Sequence, residues 1–127
     1  MDPVTRTPLI FDGHNDILSL LYKSGLSKEG GVDLSVFAGD MPGHLDLTKM
    51  RNGGFGGGFF AIYVPSQIDL DSKNSQMNMP KYDLPLPLEI SVEDALPIAV
   101  EQAAILHRME QAGYLTICKD VSMLQSC

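Results

Sequence analysis

The side chains best suited to chemistry stand together near the start of the chain, in the segment Asp12-Gly13-His14-Asn15-Asp16. In an extended chain, residues two apart point to the same side, so His14 and Asp16 would offer an imidazole nitrogen and a carboxylate oxygen to one point. Both groups are standard zinc ligands. The segment also suits a capping cluster, in which Asn15 or Asp16 starts a helix and His14 is incidental. The spacing alone favours neither interpretation.

A catalytic zinc site usually has three protein ligands and a water, which is more than this pair supplies. His44 follows Pro42-Gly43 in a loop, and His107 lies on the polar face of a predicted helix. Neither has a companion at ligand spacing, so we expect both to be solvated. Cys118 and Cys127 lack the Cys-x-x-Cys spacing of a thiolate site, and no secretory signal is evident, so both are predicted to be reduced thiols.

The elements that must position these residues alternate between strands and helices. Apolar runs between glycines and prolines predict buried strands at residues 8–12, 59–64 and 114–118. Helices are predicted at 17–22, closed by Gly25 in the left-handed conformation, at 46–52, and from a cap at Asp120 onwards. Residues 26–43 and 66–90 are predicted to be loops, the second of them a long one.

The clearest helix is predicted to begin at Asp94 and to end at Gly113. Asp94 is the expected N-cap because it places Pro97 in the first turn, where no helical hydrogen bond is lost. A cap at Ser91 would place the proline deeper.

Continuous apolar strands separated by helices indicate an α/β fold with a parallel sheet. Function in such folds gathers at the carboxyl ends of the strands, and His14 and Asp16 follow the first strand directly. Three strands make a small sheet. We therefore expect residues 1–127 to be an incomplete portion of a larger domain.

Composition excludes several classes of protein. The chain has 127 residues, of which 44% are hydrophobic, and a formal net charge of -7. The acidic balance argues against a nucleic-acid partner, whose phosphates would be repelled. No apolar run approaches the roughly 20 residues that a membrane span needs. We expect a soluble, cytoplasmic protein.

Residues 10–16 resemble the opening motif of the zinc dipeptidase family, the family of the renal (membrane) dipeptidases. Three further segments agree with that family in order: 46–54, then 56–65, then the helix through Ala95-Leu96-Pro97 followed by 115–118. The resemblance covers nearly the whole chain, and residues 66–90 match least.

This resemblance implies the N-terminal part of a (β/α)₈ TIM-type barrel, about three strands with their helices, truncated before the barrel closes. It further implies hydrolysis of dipeptides at a site with two zinc ions. His14 and Asp16 match the family's first His-x-Asp pair, which binds one zinc ion. The family's bridging glutamate and later histidines have no counterpart in residues 1–127. The resemblance leaves homo-oligomerisation open.

Two alternatives remain at this point. One is another metal-dependent amidohydrolase on the same barrel, although many of those carry His-x-His where this chain has Asp16. The other is a non-catalytic truncated protein, because part of a barrel leaves sheet edges and apolar helix faces exposed to association.

Overall fold

The computed structural model describes residues 8–25, 31–39, 41–66 and 70–127, without the side chains of 70–73. The described elements combine two strands with several helices, which confirms the α/β class. In chain order they are β1 (Ile10–Asn15), α1 (Ile17–Gly25), a 3₁₀ helix (Leu34–Ala38), α2 (Leu47–Asn52), β2 (Phe55–Phe60), α3 (Leu70–Met77), α4 (Val92–Gln111) and α5 (Val121–Ser126).

β1 and β2 pair in parallel, as predicted, and form a two-stranded sheet in the described part of the chain. Their carboxyl ends therefore lie at one edge. Two strands cannot cover each other's faces, and Phe11 and Phe59 stay 51% and 66% exposed while their rings meet edge to face. The prediction of buried strands is wrong for this reason.

β2 begins inside the glycine cluster, four residues before the predicted start at residue 59. A Cβ added to Gly58 would lie 2.9 Å from Asp12 Cβ and 3.1 Å from Asp12 O, so the two strands approach as closely as they do because a glycine stands there. Glycine is otherwise depleted in strands, which is why the apolar run alone gave the wrong boundary.

The third predicted strand, at residues 114–118, is wrong. Within the described residues no strand is assigned there. The backbone N–H of Ile117 instead donates to Glu110 Oε1 at 2.7 Å, so a side chain of the preceding helix takes a hydrogen bond that a sheet would need.

α4 begins at a Ser91 cap, so the predicted cap at Asp94 is also wrong. Ser91 Oγ accepts from the backbone N–H of Asp94 at 3.1 Å and donates to Asp94 Oδ2 at 2.8 Å. The backbone bond caps the helix, and the hydroxyl-to-carboxylate bond orients the Ser91 side chain. Together they offset the one backbone hydrogen bond lost at Pro97, the sixth residue of the helix.

Gly113 ends α4, as predicted, and adopts the left-handed conformation with φ +75°. The N–H of Gly113 donates to Glu110 O and that of Tyr114 to Met109 O, which is a Schellman motif. Gly25 ends α1 without a positive φ, so the left-handed closure predicted there is wrong.

Both predicted loops contain helix. Residues 26–30 and 40 lie outside the described residues, but the 3₁₀ helix occupies 34–38, where Asp33 Oδ1 accepts from the N–H of Ser35 at 2.9 Å. α3 occupies 70–77 of the long loop predicted at 66–90, and residues 78–90 carry neither helix nor strand. α5 begins at its predicted cap, Asp120.

The core lies between α1 and α4 and extends to the 3₁₀ helix and α2. Its buried members are Ile17, Leu18, Leu21, Phe37, Met41, Leu47, Met50, Ile105 and Met109. This packing fixes the helix that follows β1, and with it the turn that carries His14 and Asp16. No helix in the described ranges is long and apolar enough to cross a membrane.

Candidate metal centre

The side chains of His14 and Asp16 meet at the carboxyl end of β1. His14 Nε2 lies 3.3 Å from Asp16 Oδ1, and the two side chains are 65% and 57% exposed. β1 ends at Asn15 and α1 begins at Ile17, so the pair spans the turn between strand and helix. The structure thus brings together the two residues that the sequence singled out.

A bulge in β1 contributes to this placement. Asp12 lies opposite Gly58 and Asn15 lies opposite Phe60, so three steps along β1 match two along β2. The extra residue falls at Gly13-His14. A bulge bends its strand and redirects a side chain, and here it helps to turn the His14 side chain towards Asp16.

Asp12 and Asn15 fasten the turn. Asp12 Oδ1 accepts from the backbone N–H of His14 at 3.2 Å, and Asp12 Oδ2 accepts from Asn15 Nδ2 at 3.0 Å. Asn15 is buried, and its Oδ1 accepts from the N–H of Ile17 at 3.4 Å. Asn15 therefore serves the start of α1, while the carboxylate of Asp16 faces His14. The capping cluster and the converging pair, open alternatives in the sequence, are both present.

A second set of hydrogen bonds holds the chain that follows β2. Gln102 of α4 is fully buried; its Oε1 accepts from the N–H of Tyr63 at 3.0 Å, and its Nε2 donates to Tyr63 O at 2.6 Å. Ala61 N donates to Asn15 O at 2.9 Å, so the chain after β2 is tied to both β1 and α4. Sequence reasoning missed Gln102, although a polar residue among the apolar positions of a helix is a usable signal.

His14 and Asp16 line a cleft of about 680 Å³, whose walls also include apolar residues of β1, α1 and β2. His44, expected to be merely solvated, is exposed but lies along this same cleft. Lys49 Nζ donates to Met41 O at 2.6 Å and to Gly43 O at 3.1 Å, which holds the loop bearing His44. His107 is exposed on α4 and does not line the cleft.

Lys49 is itself anchored by Asp46, the N-cap of α2. The buried Asp46 carboxylate accepts from the backbone N–H of Lys49 at 2.8 Å and lies 2.9 Å from its ammonium group. The backbone hydrogen bond from Lys49, followed by the ammonium group, holds the pKa of Asp46 below its ordinary value. The start of α2 and the His44 loop thus form one hydrogen-bonded unit.

The geometry of the pair fits a zinc ion. Bonds of about 2.0–2.2 Å at tetrahedral angles place two ligand atoms roughly 3.3–3.6 Å apart, and the His14–Asp16 separation of 3.3 Å falls at the short end of that range. A hydrogen bond between imidazole and carboxylate has a similar length. No group of three or more His, Cys, Asp or Glu side chains is placed to hold a metal within the residues described. A metal ion held between His14 and Asp16 would therefore need further ligands.

Comparison with known proteins decides the family. The sequence pattern of the membrane dipeptidase family, peptidase family M19, matches residues 1–125. The chain belongs to the membrane dipeptidase family. The resemblance carried by residues 10–16 and the later segments is confirmed by this match.

Solved structures of other M19 members share the fold of this member. A metallo peptidase from Rhodobacter sphaeroides, crystallised with a phosphinate mimic of the dipeptide L-Ala-D-Ala, is 39% identical with a TM-score of 0.82; the match covers 96% of this chain and 35% of that one. Dipeptidase AC, an M19 metallo peptidase, gives the same identity and TM-score, with 34% of its own chain covered.

Two curated proteins also match this M19 chain. A protein of Acinetobacter calcoaceticus, described as an uncharacterized protein in the PQQ-III 3' region, is 30% identical over 121 residues, which is 93% of this chain and 36% of that protein. Dipeptidase ataJ of Aspergillus terreus is 29% identical over 107 residues, 82% of this chain and 21% of ataJ. The chain thus spans about a third or less of the length of its relatives.

Proposed function

We propose that this chain takes part in zinc-dependent hydrolysis of dipeptides and contributes His14 and Asp16 as the first pair of metal ligands. The observation that carries the proposal is the 3.3 Å approach of His14 Nε2 to Asp16 Oδ1 at the strand end of a membrane dipeptidase family member. The donor set supports zinc, because one imidazole and one carboxylate are ligands that zinc accepts.

The surrounding residues have definable roles in this proposal. Asp12 holds the backbone of His14, and Asn15 holds the start of α1, so the two ligands are oriented before a metal arrives. When bound, zinc lowers the pKa of water towards neutrality and polarises the carbonyl group of a substrate. A site with two ions would need further ligands besides His14 and Asp16.

The proposed fold of the whole enzyme is a (β/α)₈ barrel, of which β1 and β2 are the first two strands. The parallel pairing of these strands, with both candidate ligands at the carboxyl end of β1, supports this assignment. The likeness to two M19 structures over 96% of the chain supports it independently.

The proposed substrate is a dipeptide with small side chains. The Rhodobacter sphaeroides relative was crystallised with a mimic of L-Ala-D-Ala, which supports this class. The cleft beside His14 and Asp16 is about 680 Å³ and is lined by apolar side chains such as Ile10, Leu20 and Phe55, which suit an aliphatic group.

A chimera tests the proposal. Residues 8–127 of this chain replace the matching segment of the Rhodobacter sphaeroides metallo peptidase, and L-Ala-D-Ala hydrolysis is measured with and without added zinc. We expect zinc-dependent hydrolysis that His14→Ala and Asp16→Asn each abolish. His107→Ala, which removes an imidazole outside the cleft, is the matched control and should retain activity. Equal hydrolysis by the His14→Ala and parent chimeras would refute the proposal.

A further inference from the structure

The two cysteines of the chain lie side by side although they are nine positions apart in the sequence. Cys118 Sγ is 3.7 Å from Cys127 Sγ, and both residues are exposed. A disulfide needs the sulfurs at about 2.0 Å. Rotation about the side-chain bonds of two exposed residues can supply this remaining approach without rearrangement of the core.

Helix α5 positions Cys127 next to Cys118. α5 turns the chain back towards Cys118, and its Asp120 cap accepts from the N–H of Met123 at 2.8 Å. The N–H of Cys127 donates to Met123 O at 3.2 Å, so Cys127 is hydrogen-bonded to the last turn of this helix. The two thiols are thereby held near each other before any oxidation.

Both cysteines also line a second cleft, of about 720 Å³, between β2 and residues 114–127. A small oxidant can reach the sulfurs from this cleft and from solvent. A bond between them would fasten α5 to the segment that follows α4 and would fix one wall of the cleft.

We propose that Cys118 and Cys127 form a redox-active dithiol that a small disulfide, such as oxidised glutathione, converts to an intramolecular disulfide. One cysteine thiolate attacks oxidised glutathione, which forms a protein–glutathione disulfide and releases one glutathione thiolate. The other cysteine then attacks the protein sulfur of that disulfide and releases the second glutathione. Two protein thiols lose two electrons, and the two glutathione thiolates take up the two protons.

The surroundings of Cys118 disfavour its thiolate form. The hydrogen bond with Cys127, then desolvation, then the negative charges of Cys127, Asp120 and Glu110 raise the pKa of Cys118. Since the thiolate is the species that attacks a disulfide, these surroundings slow attack by Cys118. This inference is independent of the metal site and of dipeptide hydrolysis.

Equilibration with graded mixtures of reduced and oxidised glutathione tests the proposal on the full chain. After acid quenching and alkylation, intact mass spectrometry counts the species. We expect a monomer that has lost two hydrogens and takes up no alkylating agent. Cys118→Ser and Cys127→Ser should instead give a single glutathione adduct.

A positional control tests whether the internal disulfide depends on the placement of the second thiol at position 127. The double variant Ser126→Cys/Cys127→Ser moves the second thiol one residue back along α5, and it should form the internal disulfide at least about tenfold less at the same glutathione ratio. Wild-type chain that yields the doubly glutathionylated species or an intermolecular dimer, without internal disulfide, would overturn the proposal. Equal oxidation of the wild-type chain and the double variant would overturn it as well.

Discussion

Gln102 of α4 binds both backbone polar groups of Tyr63, accepting from its N–H at 3.0 Å and donating to its carbonyl at 2.6 Å. One side chain amide thus takes the place that a neighbouring strand would occupy beside the chain after β2. Because Gln102 is fully buried, the pairing links the core between α1 and α4 directly to the edge of the sheet where His14 and Asp16 lie.

Replacement of the Gln102 amide should reduce the stability of the fold. Gln102→Leu keeps the bulk of the side chain but leaves both polar groups of Tyr63 without this partner, and we expect a loss of about 1–3 kcal/mol in the free energy of unfolding. Urea denaturation measures it. Gln111→Leu, an exposed position on the same helix, is the control and should change stability by less than about 0.5 kcal/mol. Equal effects of the two substitutions would show that the amide pairing contributes nothing.

The close approach of the two strands depends on Gly58. Gly58→Ala places a methyl group 2.9 Å from Asp12 Cβ and from Phe55 Cζ, so the strands must separate or Asp12 must shift. We expect a loss of about 1–3 kcal/mol by thermal unfolding. Gly13→Ala meets nothing within 4 Å and is the matched control on β1. Equal melting temperatures for the two variants would show that Gly58 is not needed for the close approach of the strands.

Asp46 should make stability depend on pH in the acid range. Its pKa is lowered from 3.8 by the backbone hydrogen bond and the ammonium group of Lys49, so its carboxylate stabilises the fold fully above that value. The contribution is lost as the pH falls through the lower pKa of the folded state. Asp46→Asn keeps a capping side chain but loses the charge. The loss in free energy of unfolding relative to the wild-type chain should be largest near neutral pH and should shrink below pH 3.8. Asp120→Asn, at the exposed cap of α5, is the control. A deficit that stays constant across this range would contradict the linkage.

Cys127 should slow the alkylation of Cys118. The hydrogen bond between them is the largest cause of the raised pKa of Cys118, so Cys127→Ala should lower that pKa and increase the thiolate fraction at a given pH. We expect faster reaction of Cys118 with iodoacetamide at about pH 8, near the ordinary thiol pKa. In concentrated urea the two proteins should react at the same rate. Equal rates in the folded state would argue against the contact.

Features governed by a few neighbouring residues were predictable from the sequence. Asp46, Asp120 and Gly113 bound their helices as expected, because caps depend on local backbone geometry. The meeting of His14 with Asp16 was expected from their spacing, although the structure achieves it through a bulge and a turn rather than through regular strand alternation. Their role as metal ligands stays a prediction.

Features that depend on distant partners were not predictable. The boundary of β2 depends on the contact between Gly58 and Asp12, and the absence of strand pairing at Ile117 reflects its hydrogen bond to Glu110. Gln102 acquires its role only through Tyr63, 39 residues away along the chain. Ser91 is a local exception, because its two hydrogen bonds with Asp94 stabilise a helix start that places Pro97 beyond the first turn.

The central claim is that His14 and Asp16 bind one zinc ion together, and a zinc titration of the chain followed at the imidazole protons by NMR tests it most directly. We expect a saturable shift of the His14 signals and no shift for His107. We also expect Asp16→Ala to weaken zinc binding at His14 by at least about tenfold, if the claim holds. Unchanged His14 signals at saturating zinc, or an Asp16→Ala titration identical to that of the wild-type chain, would contradict it.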